Sequence, residues 1–181
     1  MKNIHKLAAI DIGSNAVRLL ITSIRINKPD TKFKKISLVR VPLRLGEDVF
    51  SKGKISDKKL KKLQKTLKAF KILMQMHEVY MFKALATSAM REAENSTKII
   101  EDIFKKLNIK IDLISGKKEA LMIANVFLNS IENLVNNYLY VDVGGGSTEL
   151  NLISKNKIID TKSFKIGTVR TLNNITKDIS W

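Results

Sequence analysis

Two stretches of this chain are built to one plan. Leu7 to Ile21 reads LAAIDIGSNAVRLLI and Tyr138 to Ile153 reads YLYVDVGGGSTELNLI: an apolar run, an aspartate, an apolar residue, glycine, small polar residues, and a second apolar run. Aligning Asp11 with Asp142 sets Ile10-Asp11-Ile12-Gly13 against Val141-Asp142-Val143-Gly144, an offset of 131 residues. Solenoid and propeller repeats have periods of roughly 20–50 residues, so a repeat this long implies two related lobes. Each lobe opens with a strand–turn–strand hairpin, and the two Asp-x-Gly turns are expected to face each other across a cleft, a common place for a ligand.

Glycine tolerates positive φ and lets another group approach the main chain closely. Successive N–H groups in such a turn form a concavity for an anion. Gly144, Gly145 and Gly146, with the hydroxyls of Ser147 and Thr148, are therefore candidate phosphate ligands. Asp11, Asp142 and Glu149 stand near the turns in sequence, and carboxylates beside a phosphate cradle make sense when Mg²⁺ lies between them. The pattern is not G-x-x-x-x-G-K-[ST], and a strand rather than a helix follows the glycines, which also excludes the usual dinucleotide fingerprint.

Composition narrows the chemistry further. The 181 residues contain no cysteine, which excludes disulfides, cysteine zinc sites and thiol catalysis. No apolar run approaches the ~20 residues of a membrane span, and Asp11 interrupts the N-terminal apolar stretch too early for a signal peptide; a cytoplasmic protein with no membrane partner is expected. Lys and Arg number 33 against 17 Asp and Glu, a net charge of +16, which attracts polyanions. A Lys-, Asn- and Ile-rich composition accounts for part of that charge without any binding role.

Periodicity predicts an antiparallel meander of three strands (LAAIDI, AVRLLITSI and FKKISLVRVPL), with a turn at NKPD, then a polar loop LGEDVFSKGKIS. Ser56 is read as the N-cap of a helix to about Met76. Its apolar face carries Leu60, Leu63, Leu67, Phe70 and Met74, and Lys58, Lys61, Lys62, Lys65 and Lys68 cover the other face. A strand VYMFKALAT, a helix from Ser96 to about Leu107 and a strand IKIDLIS follow. GKKEALMIANVFLNSIENLV is a helix apolar most of the way round, expected to pass between two layers or lobes. After the second hairpin come a third strand, KNKIIDTKSFKIG, and a short helix at Thr168. Together these predict a three-layer α/β fold with a mixed sheet. Met74, Met76, Met81 and Met122 are read as core, and His5 and His77 as incidental.

AAIDIGSNAVRLLI, ATSAMREAEN, ISGKKEA and YVDVGGGSTEL, in this order, resemble the exopolyphosphatase/guanosine pentaphosphate phosphatase family. LRLGEDVFSKGKIS and SFKIGTVRTL also resemble segments of that family, so the likeness runs over nearly the whole chain. The resemblance implies a ribonuclease H-like α/β fold of the actin, sugar kinase and heat-shock chaperone superfamily, a mixed sheet flanked by helices. Residues 1–127 would form the first lobe and 128–181 the opening part of an incomplete second lobe. It further implies a Mg²⁺-dependent phosphohydrolase that releases the terminal phosphate of polyphosphate or of guanosine pentaphosphate (pppGpp). Glu119 matches the catalytic glutamate, a general base on the attacking water, and Arg91 the phosphate-contacting arginine. Gly13, Ser14 and Asn15 match the first phosphate turn, and Gly144, Gly145, Gly146 and Ser147 the second. Asp142 and Glu149 match acidic positions near Mg²⁺.

Read without the resemblance, Glu119 is an acid in a helix first turn, where the dipole alone favours it; a base needs a raised pKa, which the apolar run after it could supply by desolvation. Arg91 follows a strand end, where it could offer a fork to two phosphate oxygens or pair with Glu92 or Glu94. Two departures from the family pattern stand out. Lys117 and Lys118 precede Glu119, and Leu121 replaces an arginine, so the added charge is expected to lower the Glu119 pKa. The chain also reaches Trp181 soon after the second lobe's opening strands, which leaves a fragment or a chain completed against another, possible homodimers included. The alternative function is a catalytically impaired lobe that binds nucleotide, polyphosphate or nonspecific RNA, the last through the lysine face.

Overall fold

The computed structural model describes residues 4–25, 33–130 and 136–172. The first sheet has the order β3-β2-β1-β4-β5. β1 (Ile4–Ile12), β2 (Val17–Arg25) and β3 (Lys34–Val41) form the antiparallel meander. β4 (Met81–Ala86) and β5 (Ile111–Leu113) extend it in parallel from β1. The sheet is thus mixed, as the alternation of elements predicts. The NKPD turn lies outside the described residues.

Period-two alternation in β1 buries Ala8, Ile10 and Ile12 on one face and leaves Asp11 on the other. The buried face meets α2 (Asp57–Met76), whose Leu63, Leu67, Phe70 and Met74 lie inside, and α4 (Ser96–Leu107), which contributes Ile99 and Ile103. Burying each such side chain is worth about 1.5–3 kcal/mol. Ser56 caps α2, its hydroxyl accepting the Lys59 N–H at 3.4 Å. Lys58, Lys61, Lys62, Lys65 and Lys68 face solvent, as helical spacing requires.

Two short helices stand where a loop and a strand end are predicted. α1 (Leu45–Lys52) buries Leu45, Val49 and Phe50, and α3 (Ser88–Glu92) follows β4 directly. Neither is long enough for its periodicity to stand out; both are held by tertiary contacts rather than propensity.

The second sheet is β6 (Asn137–Val143), β7 (Thr148–Ser154) and β8 (Lys157–Phe164), all antiparallel. α5 (Gly116–Ser130) runs from the first sheet onto β7 and β8, with Phe127 packed at 4.9 Å from the Tyr140 ring. α6 (Thr168–Leu172) ends the described chain. α5 is less buried than its composition suggests: Ala120 and Ala124 are inside, but Val126 is 71% exposed. Of the four methionines read as core only Met74 is buried; Met76, Met81 and Met122 are exposed. α2 and α4 share the core on the Ile10 face of the first sheet, and α5 packs on the Tyr140 face of the second. Leu38 and Met81 stand exposed on the open face of the first sheet. Leu139, Val141 and Val143, equivalent in the repeat to buried Ala8, Ile10 and Ile12, stand exposed on the second.

Candidate active site

The two turns have the same internal bond. Gly13 N–H donates to Ala16 O at 3.1 Å, and Gly144 N–H donates to Ser147 O at 2.9 Å, with Ala16 and Ser147 also 131 residues apart. They do not merely face each other; they touch. A β-carbon on Gly145 would lie 3.1 Å from the Asn15 nitrogen, and one on Gly146 would lie 2.5 Å from Ser88 Oγ and 2.7 Å from Ser14 Oγ. Positive φ is not the reason for these glycines, because among the described glycines only Gly53 adopts it. Close approach of one lobe to the other is the reason.

Ser14 is buried, and its hydroxyl is already engaged: it lies 2.6 Å from Ser88 Oγ and accepts the Ala89 N–H at 3.1 Å, capping α3. Its side chain is thus spent on bracing the turn. The segment entering α1 braces the same turn from outside, with Arg44 N–H donating to Asn15 O and Gly46 N–H to Ser14 O. α6 braces the second turn through Thr168 N–H to Gly144 O and Val169 N–H to Gly145 O.

Cross-strand register places the acids. Asp142 lies directly opposite Glu149 in the β6–β7 pair, so both side chains share the face on which α5 packs. Asp11 lies opposite Arg18, whose guanidinium donates to it at 2.8 Å. Glu149 is buried, and its Oε1 accepts the Ser163 hydroxyl at 2.8 Å. Gly116 starts α5 against β8, where a β-carbon would meet Ser163 Oγ at 2.5 Å.

This docking sets Glu119, in the first turn of α5, between the acid of one lobe and the acid of the other. Burial pushes its carboxyl up to about 7, the charges of Glu149 and Asp11 add to that rise, and Arg91 opposes it. Arg91 Nη1 lies 3.5 Å from Glu119 Oε2 and donates to Ile114 O at 2.8 Å. The sequence reading expected Lys117 and Lys118 to lower this pKa. Both side chains are exposed, where water screens them, and desolvation by the two lobes outweighs them. Arg91 binds Glu119 rather than the Glu92 or Glu94 of the alternative reading.

Among the described residues no group of three or more acids and histidines is close enough to cage a metal ion. Asp11, Asp142 and Glu149 therefore do not form a protein-built cage. Mg²⁺ usually takes one or two carboxylates and completes its octahedron with water and substrate phosphate. The facing Asp142–Glu149 pair fits that smaller requirement. Sequence reasoning missed Ser88, Ser163, Phe50, Gly167 and Arg170; all act through tertiary contacts, and only the small residues near each turn hint at them.

The fold and site define the class: a mixed α/β protein of two sheets, each opening with a hairpin, whose glycine turns meet over a buried glutamate and an arginine. The sequence pattern of the Ppx/GppA phosphatase family matches residues 24–180, and the chain belongs to that family. It is 33% identical over 173 residues to a bifunctional 3-dehydroquinate synthase/phosphatase of Fusobacterium nucleatum, covering 93% of this chain and 26% of that protein. Its fold superposes on an exopolyphosphatase from Cytophaga hutchinsonii with a TM-score of 0.84 at 29% identity, covering 94% of this chain and 53% of the other. The Aquifex aeolicus Ppx/GppA family member superposes with a TM-score of 0.74 at 30% identity, covering 92% and 53%. The chain thus spans between a quarter and about half of the length of these relatives.

Proposed function

We propose that this chain carries the phosphoanhydride-hydrolysing centre of an exopolyphosphatase, acting on the terminal phosphate of inorganic polyphosphate or of pppGpp in the cytoplasm. The observation that supports this most is Glu119, held near neutrality by burial and neighbouring acids, 3.5 Å from Arg91 and beside two touching glycine turns. The Gly13 and Gly144 N–H groups close their own turns, and the main-chain N–H groups of Ser14 and Asn15, and of Gly145, Gly146 and Ser147, would hold the non-bridging oxygens of the terminal phosphate. Arg91 neutralises charge on the same group. Ionised Glu119 takes a proton from a water as its oxygen attacks the terminal phosphorus. The bridging P–O bond breaks, and the shortened chain leaves with that oxygen. Asp142 and Glu149 would hold Mg²⁺, which when bound neutralises phosphate charge. A base near neutrality suits this task, because it is partly ionised yet still strong.

The test is phosphate release from polyphosphate and from pppGpp, with and without Mg²⁺, by the parent and by Glu119→Gln. Metal-dependent release lost in the variant supports the role; release that survives the substitution removes Glu119 from it. A second reading, polyanion binding without turnover, draws on the exposed Lys58, Lys61, Lys62, Lys65 and Lys68 of α2. Beside that helix lies a cleft of about 420 Å³, lined by Lys52, Lys58, Lys59, Lys62 and Arg44 together with Glu47 and Asp48. Lys59 spends its charge on Glu47 and Asp48, whose carboxyls it helps hold below their usual range.

A further inference from the structure

Arg170, in α6, makes three contacts at once, two of which cross from the second lobe to the first. Its Nε donates to Gly146 O at 3.0 Å, its Nη2 pairs with Glu92 Oε1 at 2.7 Å, and its guanidinium carbon sits 3.9 Å above the centre of the Phe50 ring. Gly146 belongs to the second turn, Glu92 to α3 and Phe50 to α1. The side chain is 9% exposed, so the pair is shielded from the screening that weakens surface ion pairs.

We propose that Arg170 is a positioning residue that clamps the two turns into one phosphate site; the assignment rests on the phosphohydrolase reading for what that site binds. α6 is already part of the second turn's body. Its first N–H groups bond the carbonyls of Gly144 and Gly145, and a β-carbon on Gly167 would lie 2.5 Å from both Gly145 C and Gly146 N. Arg170 fastens that body to α3, the helix that carries Arg91 and is capped by Ser14. One guanidinium therefore ties the second turn to the helix that connects the first turn with the phosphate-contacting arginine. Lysine cannot replace it, since a single ammonium lacks the planar fork that bonds a carbonyl and a carboxylate while stacking on an aromatic ring. Arg170 touches no reacting atom; it sets the distance between groups that do.

The chain has no cysteine, so spin labels on Lys68→Cys in α2 and Lys162→Cys in β8 report the distance between lobes by pulsed electron resonance. The parent should give one narrow distribution. Arg170→Met, which keeps the stem on Phe50, should broaden and lengthen it, and Glu92→Gln should do so to a lesser degree. Arg170→Lys should recover only part of the narrow population. In the same samples polyphosphate affinity should fall about tenfold in Arg170→Met, the loss expected for a buried charged hydrogen bond. Unchanged distances in both Arg170→Met and Glu92→Gln would overturn the clamp. A broadened distance with parental polyphosphate affinity would overturn its positioning role. A parent with a narrow distance but no polyphosphate binding would instead sink the phosphohydrolase reading, leaving the distance result to judge the clamp.

Discussion

Gly145 stands so close to Asn15 that a methyl group on it would lie 3.1 Å from the Asn15 main-chain nitrogen. A β-carbon there would also come within 3.3 Å of the Ser14 and Asn15 β-carbons, so the contact is between backbones rather than flexible side-chain ends. Two turns 131 residues apart thus form one surface, and the absence of side chains on one of them makes this possible.

Gly146 tests that contact most severely. A β-carbon would collide with the Phe50 ring and come within 2.7 Å of both serine hydroxyls beneath it, Ser14 and Ser88. Gly146→Ala should lower stability by about 1–3 kcal/mol, the usual cost of overpacking, read as a lower urea midpoint. A parental midpoint would mean that the lobes sit farther apart in solution.

Activity should follow the ionisation of Glu119. The base must be charged, and its carboxyl lies at about 7. Phosphate release should therefore rise as pH increases through neutrality and fall about tenfold per unit below it. A flat rate between pH 5 and 8, with the metal saturating, would exclude Glu119 as the titrating base.

The same shift makes a stability prediction of opposite sense. Glu119 has its carboxyl raised from an ordinary 4.5 to about 7, so between these values the folded protein binds more protons than the unfolded chain. Its contribution to stability is lost as pH rises across that window, by on the order of 3 kcal/mol. Glu119→Gln should unfold at a higher urea concentration than the parent at about pH 8, with the gain shrinking towards pH 4.5. A gain independent of pH would show that Glu119 is not desolvated as described.

Lysine-face binding would have a different signature. RNA or long polyphosphate held by Lys58, Lys61 and Lys65 should lose affinity steeply with salt, and replacing the three with Gln should flatten the slope by roughly two to three log units per log of salt. An unchanged slope would mean that the face is only the wet side of α2.

Much of the first lobe was legible because its signals are local. Leu63, Leu67, Phe70 and Met74 recur at helical spacing and are buried, Ser56 caps the helix they define, and alternation in β1 separates Ile10 and Ile12 from Asp11. α1 and α3 were not legible, since helices of eight and five residues depend on what they pack against. The exposure of Met76, Met81 and Met122 was also hidden, because an apolar residue does not announce which face of its element is covered.

By itself the sequence determined that there are two Asp-x-Gly hairpins, that an acid opens the helix between them, and that no cysteine chemistry is available. Only the tertiary structure decided that the glycines serve lobe-to-lobe contact, that Ser14 is spent on α3, and that Arg170 bridges Gly146 and Glu92. The physical reason is range. Turn and helix preferences act over a few residues, whereas close approach, desolvation of Glu119 and a shared guanidinium all depend on groups brought together from distant parts of the chain.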